Sequence, residues 1–325
     1  MDRRRAISAF AALFALPQAL AQQSGKTYRI GVLERELAEA NPANFNAFRQ
    51  GLRGLGYIEG RNVVFEYRSS EGRDDRYPQL ATELVRLKVD LILTRGTPAV
   101  LASKAATSTI PIVMAGVGDP VADGLIASFA RPGGNVTGFT ASTTELAPKR
   151  LQVLREIFPG AARIGALMNM SNPNLPSQWK QLAAAAQTSG VAAVLFDVRS
   201  QEDFKKAFDE AARQRVDAMY VGLDTLTQKN RALIADLAVK HHLPTMAAAG
   251  DFVDAGMLAS YGPSYAALYS GAAGVADKIF KGARPADIPV QLPYVFETVI
   301  NSKTARALGI SVPKDLLARA DRVIN

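Results

Sequence analysis

The chain has no cysteine, two histidines and one tryptophan among its 325 residues. Without cysteine there is no disulfide, no thiolate nucleophile and no thiol for an N-terminal lipid anchor. The two histidines, His241 and His242, are adjacent, so they diverge on a helix and lack a third partner for zinc. They end a helical stretch before Leu243-Pro244, where an imidazole suits the carbonyl end of the helix dipole. No metal or other cofactor is expected. No apolar run reaches the roughly 20 residues of a membrane span. The phosphate-binding pattern G-x-x-x-x-G-K-[ST] and the nucleophile elbow G-x-S-x-G are both missing, and no nucleophile–base pair can be argued, so no catalysis is assigned.

What is present is the make-up of a folded globular protein, 48% hydrophobic and 21% charged, at a length that favours two domains. The beginning differs from the rest. Arg3, Arg4 and Arg5 precede an apolar stretch from Ala6 to Leu16, and Ala19-Leu20-Ala21 follows Pro17. A basic start, a short apolar core and an A-x-A end form an export signal over residues 1–21, cleaved near Ala21. The alternative is a buried first helix. Arg4-Arg5-Ala6-Ile7 also half-resembles a twin-arginine signal, which leaves both export routes open. The exported protein is expected free in the periplasm, without a lipid anchor. The full chain's net charge of +8, which falls to +6 without residues 1–21 (three Arg and one Asp), is spread over scattered sites such as Lys149-Arg150, Lys205-Lys206 and Arg284. Scattered charge reads as solvated surface, and no nucleic-acid partner is expected.

From Tyr28 onward, short apolar runs alternate with amphipathic stretches, the mark of βαβ units and parallel sheets. A first series of strands reads "YRIGVL" (28–33), "NVVFEY" (62–67), "VDLILT" (89–94), "IPIVMA" (110–115) and "NVTGFT" (135–140). A second reads "RIGALM" (163–168), "VAAVLF" (191–196), "VDAMYV" (216–221), "LPTMAA" (243–248) and "GMLASY" (256–261). Helices are predicted over 44–56, 75–87, 97–106 and 175–189, the last carrying Trp179 as a packing residue. The two series match: "RIGVL" answers "RIGAL", "VDLIL" answers "VDAMY", and "IPIVMAGVGD" answers "LPTMAAAGD". Their offsets are 134, 127 and 133 residues (29 to 163, 89 to 216, 110 to 243). Three pairs in register predict two similar Rossmann-like α/β lobes.

A helix over 263–282, a strand "YVFETVIN" (294–301) and two short helical pieces up to Asn325 are left over. They predict that the chain recrosses between the lobes. Lobe one would be 28–141 plus 262–292, and lobe two 142–261 plus 293–325, joined by a three-crossing hinge with a cleft between them.

"RPGGNVTGF" (131–139) could cradle a phosphate or aim the chain into a strand. Phosphate loops lie between a strand and a helix N-terminus, whereas this one precedes a strand. "GVGDPV" (116–121) begins like a dinucleotide fingerprint but has valine at the third glycine. Gly133-Gly134 is therefore read as a tight turn with positive φ.

Three long segments carry a family resemblance: "GLRGLGYIEGRNVVFEYRSSEGRDDRYPQLATELVRLKVDLIL", "AATSTIPIVMAGVGDPVADGLIASFARPGGNVTGF" and "YVFETVINSKTARALGISVPKDLLARADRVI". Together they look like the ABC-transporter substrate-binding protein family related to the tryptophan/tyrosine-type binding proteins. The resemblance implies a periplasmic binding protein of ribose-binding-like type I fold, serving an inner-membrane ABC permease. Two departures, Met257 in "DAGMLASYG" and the small residues of "TMAAAGDF" (245–252), fall near the expected cleft.

Ligands of open parallel sheets bind beyond the carboxyl ends of the strands, and the repeat says which loops correspond. After strand one come Glu34 and Asn169, after strand three Thr97 and Asp224, and after strand four Asp119 and Asp251. The first crossing adds Thr140, Ser142 and Thr143, and the return crossing adds Tyr261. Several have duller readings. Asp119 before Pro120 suits a turn cap, Thr97 before Pro98 a helix N-cap, Tyr261 a core position, and Asn172-Pro173-Asn174 a polar loop. Asp224 and Asp251 stand out, since a carboxylate at each lobe's edge is costly unless solvated or matched by a cation. Asp224 is expected to serve the ligand more than the fold.

The reading is a monomer that binds a small polar organic ligand, an amino acid or related carboxylate, without chemistry. An α-amino acid needs an anion for its ammonium and donors for its carboxylate. The alternative is a periplasmic sensor of the same fold that presents its ligand to a membrane receptor.

Overall fold

The computed structural model describes residues 26–38, 42–141, 144–172 and 175–325. The proposed export signal, and Ser142 and Thr143 of the first crossing, lie outside the described residues. The first sheet contains β1 (Tyr28–Glu34), β2 (Val63–Ser69), β3 (Leu91–Thr94), β4 (Ile112–Ala115) and β5 (Val136–Phe139). Its order is β2-β1-β3-β4-β5, with every pair parallel. Between its strands run α1 (Pro42–Gly54), α2 (Tyr77–Arg86) and α3 (Thr97–Ala106).

The second half opens with α4 (Ala147–Ile157) and β6 (Arg163–Met168), then α5 (Leu175–Thr188), β7 (Ala192–Asp197), α6 (Gln201–Arg213) and β8 (Ala218–Val221). There follow α7 (Thr225–Lys229), α8 (Arg231–Lys240), β9 (Thr245–Ala247), α9 (Gly250–Asp254), β10 (Ala259–Pro263) and α10 (Tyr265–Phe280). The chain ends through β11 (Phe296–Asn301), α11 (Ser302–Ala307), α12 (Lys314–Arg319) and β12 (Arg322–Ile324). The sheet order is β12-β11-β10-β9-β8-β6-β7. Its run β7-β6-β8-β9-β10 repeats the order of the first sheet strand for strand, so the sequence repeat is a repeat of topology. Antiparallel β11 and then parallel β12 extend the β10 edge.

The sequence predicts a helical piece up to Asn325, whereas Arg322–Ile324 form β12. A three-residue strand has too little alternation to announce itself. It forms because β11 offers an open edge, where Asp321 N donates to Thr298 O at 3.0 Å and Thr298 N donates to Asp321 Oδ2 at 2.7 Å.

Each sheet buries both faces, as parallel sheets must. In α1 the spacing of Phe45, Phe48 and Leu52 turns one apolar stripe inward, and Phe48 and Leu52 join Leu268, Ala272 and Val275 of α10 on one face of the first sheet. Leu80 and Leu84 of α2 and Val100 of α3 cover the other face. In α6, Phe204, Ala207, Phe208 and Ala211 repeat at helical spacing beneath the second sheet, while Leu151 and Leu154 of α4 pack opposite. Truncating a side chain such as Phe204, which is fully buried, costs about 3–5 kcal/mol. The α6 start is set by Asp203, whose carboxylate accepts from Ser200 N at 3.0 Å.

Two glycines allow the last strand of each repeat to approach its neighbour. A Cβ on Gly138 would stand 2.3 Å from the Met114 carbonyl oxygen, and one on Gly262 would stand 1.8 Å from that of Ala248. Any side chain there would displace the strand. In the preceding turn only Gly133 takes positive φ (78°); Gly134 does not.

The chain passes between the two sheets three times: from β5 to α4, from β10 to α10, and from Gln291 to β11. Residues 288–291 run beside β5 before the last passage, with Gln291 N donating to Gly138 O at 2.9 Å and Thr137 Oγ1 to Ile288 O at 2.7 Å.

Candidate functional site

The carboxyl ends of both sheets face a cleft of about 170 Å³, the scale of a small molecule. From the first lobe its wall takes Arg35 after β1, Asp74 before α2 and Tyr77 at its start, Arg95 and Gly96 between β3 and α3, and Thr97 and Pro98 at the start of α3. From the second it takes Asn172, Leu175, Gln178, Leu223, Asp224 and Gln228, and Tyr265 opens α10 at its floor.

Arg95 is the centre of its charge. The side chain is only 11% exposed, with Nε 3.9 Å from Glu34 Oε2 and Nη1 3.9 Å from Asp251 Oδ2. The guanidinium also lies over the Tyr265 ring, 4.8 Å from its centroid. Burial works against its charge, but Tyr269, Glu34 and Asp251 outweigh it and hold the pKa above the ordinary arginine value. Burial pushes the Glu34 carboxyl above the usual carboxylate range, against the opposing pull of Arg95 and of the Tyr269 hydroxyl that donates to it. The Tyr265 hydroxyl is pushed up to about 12, also by burial. Burial lowers Arg35, and Asp74 opposes that shift.

Of the residues expected from sequence, Thr97 and Asp224 line the cleft. Thr97 Oγ1 donates to Asp123 Oδ2 at 2.8 Å, and the N-cap of α3 is Gly96 rather than Thr97. Asp224 is itself an N-cap: its Oδ1 accepts from Thr227 N at 2.9 Å, and its Oδ2 accepts from Asn169 Nδ2 at 2.8 Å. It therefore serves the fold as well as facing the cleft. Glu34 and Asp251 stand behind Arg95, and Asp251 Oδ2 also accepts from Gln228. The other four lie away from the wall. Asp119 caps its turn, accepting from Val121 N at 3.1 Å and Ala122 N at 3.0 Å. Thr140 is buried, with Oγ1 donating to Val117 O and Gly118 O at 2.8 Å each. Asn169 supports Asp224. Tyr261, half-buried in β10, stacks on Phe296 with centroids 6.2 Å apart.

Arg95 carries no mark in the sequence repeat. Its counterpart 127 residues on is Gly222, so the symmetry that paired Thr97 with Asp224 hid it. Gln178 was concealed in an amphipathic helix; its low exposure, 4%, is a tertiary fact. Arg150, read with Lys149 as surface charge, is instead fully buried; its Nε donates to Tyr261 O at 2.7 Å and its Nη1 to the Tyr220 hydroxyl at 3.0 Å. His241 is the C-cap of α8, 3.5 Å from Asp209. Among the described residues no group of three His, Cys, Asp or Glu side chains could hold a metal, and no helix is long and apolar enough to cross a membrane.

Paired lobes with a small cleft at the carboxyl ends of both sheets define a two-lobed solute-binding protein of the type I periplasmic fold. Residues 37–324 match the family described as ABC transporter substrate binding protein, and the chain belongs to that family. It is 30% identical over 263 residues, 81% of this chain and 75% of the relative, to a tyrosine-binding protein of Clostridioides difficile (strain R20291). Among solved structures it resembles an ABC domain in complex with L-Trp from Streptococcus pneumonia, at 28% identity and TM-score 0.79, covering 92% of this chain and all of that one. It also resembles the ligand-free, open structure of a substrate binding protein with adhesive properties from Clostridium difficile, at 26% identity and TM-score 0.71 over the same shares of the two chains.

Proposed function

We propose that this protein captures an α-amino acid with an apolar or aromatic side chain and delivers it to an inner-membrane ABC permease. The observation that carries this reading is the composition of the cleft wall. Opposite charges, Asp74 and Asp224 against Arg35 and Arg95, accompany the apolar surfaces of Val117, Leu175, Leu223 and Tyr77. A zwitterion with an apolar side chain uses both kinds of surface, whereas a sugar would leave the charges unmatched. The relatives named for tyrosine and solved with L-Trp support the same class.

The reading includes export with cleavage near Ala21, a soluble monomer in the periplasm, and binding without catalysis, cofactor or nucleic acid. The lobes are taken as 28–141 plus 262–292 and 142–261 plus 293–325. The conformation is read as closed: Arg95 reaches Asp251 and Arg231 pairs with Glu36, each from one lobe to the other. The higher TM-score against the L-Trp complex than against the open, ligand-free relative supports this.

The test is calorimetric titration and thermal shift of the purified protein with the twenty amino acids. A ligand at 100 times its Kd should add about 2.7 kcal/mol of stability. L-Trp or L-Tyr should lead the series. The absence of any amino acid that binds would overturn the reading.

A further inference from the structure

We propose that Gln178 is a specificity-determining residue that donates to a carboxylate oxygen of the ligand, and that Tyr220 and Arg150 are positioning residues that hold its amide in that orientation. This rests on the amino-acid reading above. Arg150, Tyr220 and Gln178 come from α4, β8 and α5, and their exposures are 0%, 0% and 4%. Arg150 Nη1 lies 3.0 Å from the Tyr220 hydroxyl oxygen, which lies 3.2 Å from Gln178 Oε1.

The direction of this chain of hydrogen bonds follows from what each group can do. A guanidinium only donates, so the Tyr220 oxygen accepts from Arg150. The phenol has one proton, and the remaining partner is Gln178. If the Gln178 amide were turned over, the –NH2 would face that oxygen and the phenol proton would have no acceptor, at a site closed to water. The carbonyl must therefore face Tyr220. The buried cation polarises the phenol and strengthens its donation.

The other end of the amide is then settled as well. Gln178 lines the cleft; its side-chain hydrogen bond among the described residues is made by Oε1, to Tyr220, which leaves Nε2 for the cleft. A ligand thus meets a fixed donor, not an amide free to present either end. It suits a carboxylate oxygen and refuses an ammonium. The device belongs to the second lobe alone, because the repeat places Leu93 where Tyr220 sits.

The experiment compares Kd values of wild type, Gln178→Glu and Tyr220→Phe for L-tryptophan, its carboxamide and tryptamine. In Gln178→Glu, one carboxylate oxygen keeps the Tyr220 bond and the other faces the ligand's carboxylate. L-Tryptophan should weaken by about 100-fold or more through like-charge repulsion. The carboxamide, which can donate to Glu, should weaken far less, and tryptamine should not weaken at all. In Tyr220→Phe the amide is free to turn, and the preference for L-tryptophan over its carboxamide should shrink several-fold. Equal losses for all three ligands in both variants, the signature of a merely structural role, would overturn the proposal.

The relay is also judged in ligand-free protein carrying 15N in its glutamine side chains. The Gln178 amide signals, identified by their loss in Gln178→Glu, should move in Tyr220→Phe. Unmoved signals would overturn the relay whatever the ligand. Moved signals in a wild type that binds neither L-Trp nor L-Tyr would instead overturn the amino-acid reading, and with it the carboxylate role.

Discussion

Arg95 Nη1 on the first lobe faces Asp251 Oδ2 on the second at a distance of 3.9 Å. The same guanidinium serves Glu34 on its own lobe, so one cation holds two largely buried carboxylates and joins the halves of the molecule. Two pairs at this length are long for ion pairs. They leave the guanidinium available to move toward whichever partner closure or ligand brings nearer.

Removing that cation should be costly. Arg95→Ala leaves Glu34 and Asp251 without their cation and should lower stability by about 3–5 kcal/mol at neutral pH. Arg95→Lys should recover part of the loss, because it keeps the charge and loses the planar fork. Urea unfolding measures both, and an unchanged midpoint for Arg95→Ala would show that the three groups are uncoupled.

Glu34 makes the stability depend on pH in a stated direction. Its folded pKa is raised above the ordinary 4.5. The folded state therefore holds the proton more tightly than the unfolded chain. The stability this contributes is complete below 4.5 and is lost as pH rises through the higher folded value. Glu34→Gln cannot ionise and escapes that loss. Its melting temperature should gain on wild type as pH climbs from acid toward neutral; a gap independent of pH would refute this.

Asp224 has two roles that substitutions can separate. Asp224→Asn keeps a side-chain oxygen for the Thr227 N–H and so keeps the cap, since asparagine caps as well as aspartate. Its Nδ2 meets the Asn169 Nδ2 donor to donor, so the melting temperature should fall modestly from that lost bond, while an ammonium-bearing ligand should weaken by about 1.5–3 kcal/mol. Asp224→Ala should show the same ligand loss plus about 0.5–2 kcal/mol from the missing cap. Unchanged affinity in both variants would remove Asp224 from the site.

Closure should be visible in solution. On the proposed reading, a ligand that binds the closed form better draws the two lobes together by rotation about the three chain passages between the sheets. Small-angle scattering should show a smaller radius of gyration with saturating ligand. Arg231→Ala removes the Glu36 pair that spans the lobes. A partly exposed pair contributes up to about 1 kcal/mol, so ligand-free protein should open by a few-fold in population at most. A tightly bound ligand that leaves the scattering curve unchanged would count against the clamp.

Export is tested at the N-terminus. Protein recovered from a periplasmic extract should begin just after Ala21, whereas soluble cytoplasmic protein with intact Met1 would rule out export.

The alternation of apolar runs and amphipathic stretches was enough to place ten strands of the repeat and β11, because hydrophobic periodicity is local. The repeat also announced two halves of like topology, since "RIGVL" and "RIGAL" are read without knowing what surrounds them. What the sequence could not show was contact between distant side chains. Glu34, Arg95 and Asp251 come together only when β1, β3 and α9 are in place, and Arg95 reads in the chain like any surface arginine. Arg150 makes the same point: beside Lys149 it looks solvated, yet it is fully buried and bound to Tyr261 and Tyr220. β12 needed the edge of β11 before it could exist. Burial and partner choice are properties of three-dimensional neighbours, so the lobes were legible from the chain, whereas the charges that face one another across the cleft were decided by the tertiary structure.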